Sequence, residues 1–353
     1  MKAAVWHGYK DVRIEETERP RASPGHVVVA VRYAGICGTD RHEYVGPNFI
    51  PVEKPHRLTG KTAPLIIGHE FSGVIDEVGE NISGWKTGDR VTANGTLSCG
   101  KCEACRNGRY NVCENLGFLG VNLDGAFAEY VEVEAARLFR IPDGVPLRDA
   151  VLAEPLACGI HAEKLLGGVR GQDVVVVGPG IIGVGAFFAA RQADARRLLV
   201  IGVGRERQAL VENGGGSYFD LSDGDPVKAV TEWSEGRLAD VVYECVGSQT
   251  ALDGCISMLK PRGKLMVMGV FEKSPALRMN DFQEGERQLF TSQAHTDEIA
   301  EALARIESGQ IDAKSLITRE VTLDTLVSDG FEELLANGEK HLKILIRVRG
   351  KED

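Results

Sequence analysis

Asp173-Val174-Val175-Val176-Val177-Gly178-Pro179-Gly180-Ile181-Ile182-Gly183 decides the fold. Four consecutive valines after Asp173 read as a strand buried on both faces. The next six residues fit G-x-G-x-x-G, and they lead into an apolar helical stretch, Ile181–Gln192. A strand, a glycine turn and a helix N-terminus in this order form a cradle for pyrophosphate. The glycines allow the tight turn and the close approach, and the helix end supplies N–H groups. Gly178, Gly180, Ile181, Ile182 and Gly183 are therefore candidate cofactor contacts. A glycine-rich turn without a nucleotide is the alternative. Further strands are expected at 198–201, 241–244 and 264–268, with helices at 205–212 and 251–259. Alternation of this kind predicts a Rossmann doubly wound parallel sheet over residues 151–290.

The second strand of this unit ends at Gly202, nineteen residues after Gly183. An acid is expected near this point to bind the adenosine ribose of NAD. Gly202 has none, and Arg205 and Arg207 follow closely. A guanidinium pairs with a 2′-phosphate, so NADP(H) is favoured over NAD(H), with Arg205 as first contact and Arg207 as second. Both arginines could instead be solvated residues at a helix start, with Glu206 serving the ribose. Val246 and Gly269, which close later strands, complete the expected cofactor contacts.

The chain has 353 residues, enough for two domains. Residues 1–150 read as short strands, among them 27–31, 71–75, 88–92 and 127–133. A helix is expected over 150–164, interrupted at Glu154-Pro155. The last sixty residues return to a helix at 296–307 and a strand at 342–346. The net charge of −10 argues against phosphate backbones and anionic membranes, so neither nucleic acid nor membrane is an expected partner. No apolar run approaches a membrane span. The chain opens on Met1-Lys2-Ala3-Ala4-Val5 without an apolar signal segment, which makes the cytoplasm the expected setting.

Half of the eight cysteines form one run, Cys99, Cys102, Cys105 and Cys113, spaced C-x2-C-x2-C-x7-C. Four thiolates on one loop make a closed tetrahedral site suited to structural Zn²⁺. An iron–sulfur site is the nearest rival, but its bacterial pattern closes with C-x3-C-P, whereas here the last gap is seven residues and Glu114 follows. Such a cage has no open position, so chemistry belongs elsewhere. Cys37, His69, Glu70 and Glu154 offer a thiolate, an imidazole and carboxylates, a donor set for a catalytic zinc. Each alone reads as a packed or satisfied structural residue. Cys158, Cys245 and Cys255 lie in apolar segments and are expected to be buried and inert.

Together these residues resemble the zinc-dependent medium-chain alcohol/polyol dehydrogenases. The motifs are Gly35-Ile36-Cys37-Gly38-Thr39-Asp40, Gly68-His69-Glu70-Phe71-Ser72-Gly73, the four-cysteine loop, Glu154-Pro155 and the glycine turn. Gly46-Pro47-Asn48-Phe49-Ile50-Pro51, Pro55-His56-Arg57-Leu58-Thr59-Gly60 and Tyr110–Phe118 resemble the 2,3-butanediol dehydrogenase branch, with sorbitol and threonine dehydrogenases as near relatives. The resemblance implies an α/β protein with a GroES-like β-rich catalytic domain at 1–150, completed by 291–353, and an active site in the cleft beside the Rossmann domain. It implies two zinc ions per chain, one catalytic and one structural, with Glu70 and Glu154 as alternative ligands of the first.

In the family's scheme a zinc acts as a Lewis acid on the oxygen of a secondary alcohol or ketone, and hydride moves to or from the nicotinamide. Thr39 corresponds to the hydroxyl beside the reacting oxygen and His42 to a relay histidine. A helix N-cap and a surface histidine are their plain alternatives. Phe49, Ile50 and Phe118 are candidates for the pocket wall, or for packing. The polar run 287–296 suggests room for a hydroxylated substrate: a vicinal diol, acyloin or polyol. The alternatives are a sorbitol- or glucose-type or a threonine-type dehydrogenase, and outside enzymes a zinc-ribbon module or an inactive cofactor-binding regulator. The family implies a homodimer or homotetramer.

Overall fold

A computed structural model describes residues 1–349 as two compact units. One comprises Met1–Glu154 and the chain from Ile299 onward; the other comprises Pro155–Glu298. These boundaries fall a few residues beyond those read from the sequence at both ends of the second unit. The difference at its end has a simple cause. Gln288–Thr291 is a strand of the parallel sheet, so the polar run 287–296 belongs to that unit's edge.

The first unit is built around His26–Gly35. This strand pairs antiparallel with Glu70–Val78 on one side and with Ile344–Arg347 and Tyr130–Glu134 on the other. The sheet continues through Arg90–Ala93 to Leu138–Arg140, and at its far side through Arg319–Thr322. A smaller sheet orders Asp11–Glu16, Lys2–Gly8 and Leu65–Ile66. Val27, Val29 and Val31 are inaccessible and pack in one core with Trp6, Phe71 and Phe127. Each such side chain contributes about 1.5–3 kcal/mol by leaving water. The strand expected at 127–133 starts only at Tyr130, because Phe127 and Ala126 bond to the Ile67–Gly68 backbone instead.

The second unit is a six-stranded sheet, all parallel: β1 (Asp173–Val177), β2 (Arg197–Gly202), β3 (Ser217–Asp220), β4 (Ala239–Glu244), β5 (Leu259–Val267) and β6 (Gln288–Thr291). Its order is β3-β2-β1-β4-β5-β6, with the direction of winding reversing between β1 and β4. All five β1 residues are buried, as a run without alternation requires for a central strand. The helix Ile181–Gln192 follows β1, and Gln208–Asn213, Pro226–Trp233 and Gln249–Ser257 follow the next strands. Asp225 accepts the Val227 N–H at 2.8 Å and Pro226 opens the helix, a regular start signal.

The helix at Ala153–Leu165 is not interrupted at Glu154-Pro155. Pro155 lies in its first turn, where a missing N–H costs no helical bond. Among the described residues no helix is long and apolar enough to cross a membrane.

Candidate active site

Strand register assembles the first cluster. Gly35, at the end of the central strand, stands opposite Glu70 on one neighbour and Leu345 on the other. Cys37 lies two residues beyond Gly35, His69 one before Glu70, and Lys343 two before Leu345, so all of them meet at one end of these three adjacent strands. One donor atom from each of Cys37, His69 and Glu70 falls within 4.8 Å of the others. A Cβ on Gly35 would overlap the Glu70 carboxylate, so only glycine leaves this space open.

Two residues that sequence reasoning did not single out hold the cluster. Asp40 accepts the Cys37 N–H at 2.9 Å with one oxygen, and its other oxygen lies 3.8 Å from His69 Nδ1. Asp40 thus couples two candidate ligands. Lys343 is buried and donates to both Glu70 oxygens at 2.6 and 2.7 Å and to the Ile36 carbonyl at 3.0 Å. Its signal in the sequence was a lysine at the start of a terminal apolar strand. Asp40 lay inside a quoted motif, but nothing in its spacing distinguished it from a helix-start acid.

The electrostatics suit a cation. Burial alone would lower the pKa of His69, but Cys37 and Asp40 outweigh it, with Glu154 adding to them, and hold it well above the ordinary imidazole range. His69 Nδ1 is buried without a hydrogen-bond partner. Burial pushes the Asp40 carboxyl up to about 6. A field that captures a proton on His69 also favours a divalent ion, and a thiolate–imidazole–carboxylate set is a zinc donor set. Glu154 acts on both His69 and Lys343 through its charge.

The helix Gly38–Tyr44 carries Thr39 and His42, both half-buried. Its N-cap is Cys37, so Thr39 occupies the first turn instead of the cap. Glu43, buried in the same helix, accepts the N–H groups of Asn48, Phe49 and Ile50 and closes the following loop. Ile50 is core and Phe49 is 52% exposed, while Phe118 packs partly buried against the core.

The four-cysteine loop is framed by the paired strands Thr96–Leu97 and Gly117–Phe118. Cys102 Sγ lies 3.4 Å from Cys105 Sγ and 3.9 Å from Cys113 Sγ. Four sulfurs about 2.3 Å from a tetrahedral zinc stand about 3.8 Å apart, so the donors fit that ion. The Lys101 and Cys102 N–H groups lower the Cys99 thiol to about 6. Burial raises Cys113 to about 11, although it accepts the Cys99 and Asn115 N–H groups at 3.2 and 3.3 Å.

In the second unit Gly180 caps the helix Ile181–Gln192. A Cβ on Gly183 would overlap the Gly178 carbonyl, which is the close approach the motif requires. The Val246 side chain lies over Gly178, and Gly269 packs against the Gly247 backbone. Glu244, missed in the sequence, orders this corner: its buried carboxylate accepts the Val246 and Gly247 N–H groups at 2.9 and 2.8 Å. Burial raises its pKa. Gly202 ends β2 beside Pro179. Arg205 is exposed and paired with Asp223 at 2.6 Å. Arg207 is half-buried before the helix Gln208–Asn213, and desolvation lowers its pKa. Among the expected inert cysteines Cys255 is buried, while Cys158 and Cys245 are only partly covered. Burial raises the Cys245 and Cys255 thiols.

A β-rich unit carrying thiolate–imidazole–carboxylate and four-thiolate clusters, in one chain with a glycine-turn parallel sheet, defines a zinc-type alcohol dehydrogenase. The alcohol dehydrogenase GroES-like domain family matches residues 23–143 and the zinc-binding dehydrogenase family matches residues 182–308. The chain belongs to this medium-chain dehydrogenase family. It is 36% identical to the (R,R)-butanediol dehydrogenase of Bacillus subtilis (strain 168), over 98% of this chain and 99% of that one. It is 34% identical to a sorbitol dehydrogenase of Halalkalibacterium halodurans, over 92% and 93%. The crystal structure of 2R,3R-butanediol dehydrogenase from Bacillus subtilis superposes with a TM-score of 0.91 at 36% identity, covering 99% of both chains. A zinc-binding dehydrogenase of Sinorhizobium meliloti 1021 bound to NADP matches at a TM-score of 0.87 and 28% identity, covering 98% of each chain. The enzyme is therefore a zinc- and nicotinamide-dependent oxidoreductase.

Proposed function

We propose that the enzyme interconverts a secondary alcohol and its ketone, with a vicinal diol, acyloin or polyol as substrate and NADP(H) as preferred cofactor. The observation that carries this reading is the convergence of Cys37, His69 and Glu70 within 4.8 Å, in a chain that also bears the dinucleotide turn. Cys37 and His69 would hold a catalytic zinc, with Glu70 and Glu154 as the carboxylates that complete the set. Bound there, zinc supplies Lewis acidity toward the substrate oxygen. Asp40 orients His69 and anchors the Cys37 backbone, and Lys343 neutralises Glu70. Thr39 and His42 carry the alcohol proton between the site and water. Cys99, Cys102, Cys105 and Cys113 would hold a second, structural zinc.

The diol and acyloin reading rests on the full-length similarity to a butanediol dehydrogenase. The sorbitol dehydrogenase relative favours a longer polyol as the second reading. The absence of an acid at Gly202, with Arg205 and Arg207 nearby, supports NADP(H). To reach a 2′-phosphate Arg205 must share or release Asp223, which leaves Arg207 as the second cation. Gly178, Gly180, Ile181, Ile182, Gly183, Val246 and Gly269 would line the dinucleotide. We place the enzyme in the cytoplasm as a homodimer or homotetramer, in keeping with its thiol-rich metal sites and its family.

The test is a turnover screen of diols, acyloins and sugars in both directions with NAD and NADP in parallel, alongside metal analysis and sedimentation. Two zinc ions per chain and preferential turnover of a vicinal diol or its ketone with NADP(H) are expected. Turnover restricted to primary alcohols would overturn the substrate class, and better turnover with NAD(H) would overturn the cofactor preference.

A further inference from the structure

The glycine that ends β2 has a steric reason to be there. Gly202 is buried, and a Cβ built on it would overlap the hydroxyl of Tyr218 and lie 2.6 Å from Pro179 Cγ of the dinucleotide turn. Tyr218 comes from β3, where it pairs with Val200 in register, two steps before the Gly202–Asp220 pair. Its half-buried ring brings the hydroxyl across the end of β2, where it donates to the Gly204 carbonyl at 2.7 Å. Gly204 in turn donates its N–H to Asp220 at 3.3 Å. The space that a carboxylate at position 202 would need is thus taken by a phenol from the neighbouring strand.

The exchange alters the charge presented to the adenosine ribose. A carboxylate accepts from a ribose 2′-hydroxyl and repels a 2′-phosphate. The one Tyr218 proton is donated to the Gly204 carbonyl, so the phenol oxygen accepts from a ribose hydroxyl as it stands and donates to a phosphate oxygen by turning its proton away from Gly204, in both cases without charge repulsion. Burial and the nearby Asp220 raise the pKa of Tyr218, which keeps the hydroxyl protonated. Arg205 is meanwhile held by Asp223 and stands 3.9 Å from Asp220, so part of its charge is already spent on acids of this corner.

From this geometry we infer that Tyr218 and Gly202 act as a coupled pair that sets cofactor selectivity, with the Tyr218 hydroxyl binding the 2′ group of the dinucleotide in place of an acid at 202. The inference rests on the NADP(H) reading and adds Tyr218 as a specificity-determining residue. It predicts that an acid introduced at Gly202 alone does not change the preference, because the phenol must leave first.

The test is equilibrium binding of NADPH and NADH by fluorescence titration, without substrate. It uses the zinc-loaded wild type, Tyr218→Phe, Gly202→Asp and the double variant. Tyr218→Phe should weaken NADPH by about tenfold and NADH by about threefold, the range for losing one hydrogen bond to a charged and to a neutral group. Gly202→Asp alone should weaken both cofactors by about tenfold or more, because the side chain enters filled space. With Tyr218→Phe in place, Gly202→Asp should bind NADH more tightly than Gly202→Asp alone, although the 2.6 Å contact with Pro179 remains, while NADPH stays weakened about a hundredfold, as a charge without a competing phenol requires. If Gly202→Asp misfolds, Gly202→Ala asks the same steric question with one methyl, and its defect should be relieved by Tyr218→Phe. Tighter NADH binding in Gly202→Asp alone, or unchanged binding in Tyr218→Phe, overturns the inference. A wild type that binds NADH more tightly than NADPH overturns the NADP(H) reading instead; the non-additivity of the two substitutions then still reports the coupling.

Discussion

Lys343 Nζ lies 2.6 and 2.7 Å from the two carboxylate oxygens of Glu70, and neither side chain reaches solvent. The ammonium is the direct counter-charge of a carboxylate that sits beside two other candidate ligands. Removing it should do more than delete one contact. Lys343→Met leaves the Glu70 charge buried and unpaired, which costs about 3–5 kcal/mol. Thermal unfolding of the metal-free protein should show a midpoint lower by roughly 5 °C or more. Adding Glu70→Gln should recover much of that loss, since the stranded charge is then gone. A Lys343→Met protein that melts with the wild type would mean that the pair contributes nothing.

The two candidate metal clusters should respond differently to loss of one thiol. Cys105 belongs to a loop whose shape depends on four converging sulfurs. Cys105→Ser should remove one zinc per chain, lower the unfolding midpoint and expose the 98–116 segment to proteases. Cys37 sits on a helix start supported by the sheet. Cys37→Ser should also remove one zinc and abolish turnover, yet keep the midpoint within a few degrees. Atomic absorption, limited proteolysis and melting on the two variants separate the cases.

Glu298 gives the second unit an acid-sensitive contact. It accepts from Thr296 at 2.8 Å and lies 3.2 Å from His161 Nδ1. Burial alone would raise its pKa, but the His161 hydrogen bond and the Thr296 N–H outweigh this and hold it at about 2. A folded pKa below the ordinary 4.5 means that the unfolded chain takes up the proton first. The stabilisation is therefore full above about pH 5 and fades as pH falls toward 2, with at most about 3 kcal/mol at stake. Glu298→Gln should be less stable than wild type at pH 7, and the gap should narrow as pH drops toward 3 and close only near pH 2 and below. A gap that stays constant with pH would remove the charge from the explanation.

Elements dominated by local pattern were legible in the sequence. The valine run and the apolar helix after the glycine turn fall where periodicity put them, at Asp173–Val177 and Ile181–Gln192. The four-cysteine loop was legible as a candidate metal site because four like ligands in fifteen residues have few other uses. What was not legible depended on register. Lys343 lies far along the chain from Glu70, and only the pairing of Leu345 and Glu70 with the same Gly35 brings them together. Tyr218 was invisible for the same reason, since β3 meets β2 only in the folded sheet. The missing acid at Gly202 could be noticed in the sequence; what fills its place could not.

Asp40 offers the sharpest test of how the candidate ligands are held. Its two oxygens serve different partners: one accepts the Cys37 N–H at 2.9 Å and the other faces His69 Nδ1 at 3.8 Å. A carboxylate facing Nδ1 at this distance acts through its charge: it leaves Nε2 for a metal and makes that nitrogen a stronger donor. Asp40→Asn keeps the shape and the oxygen that caps Cys37, but removes the charge. Zinc affinity measured by chelator competition should fall about 10- to 100-fold, the usual cost of losing such a partner. Circular dichroism and the zinc of the four-cysteine loop should be unchanged. Asp40→Ala should lose the cap as well and fall further. Equal affinities in Asp40→Asn and wild type would reduce Asp40 to a helix-start residue and leave Cys37 and His69 positioned by the sheet alone.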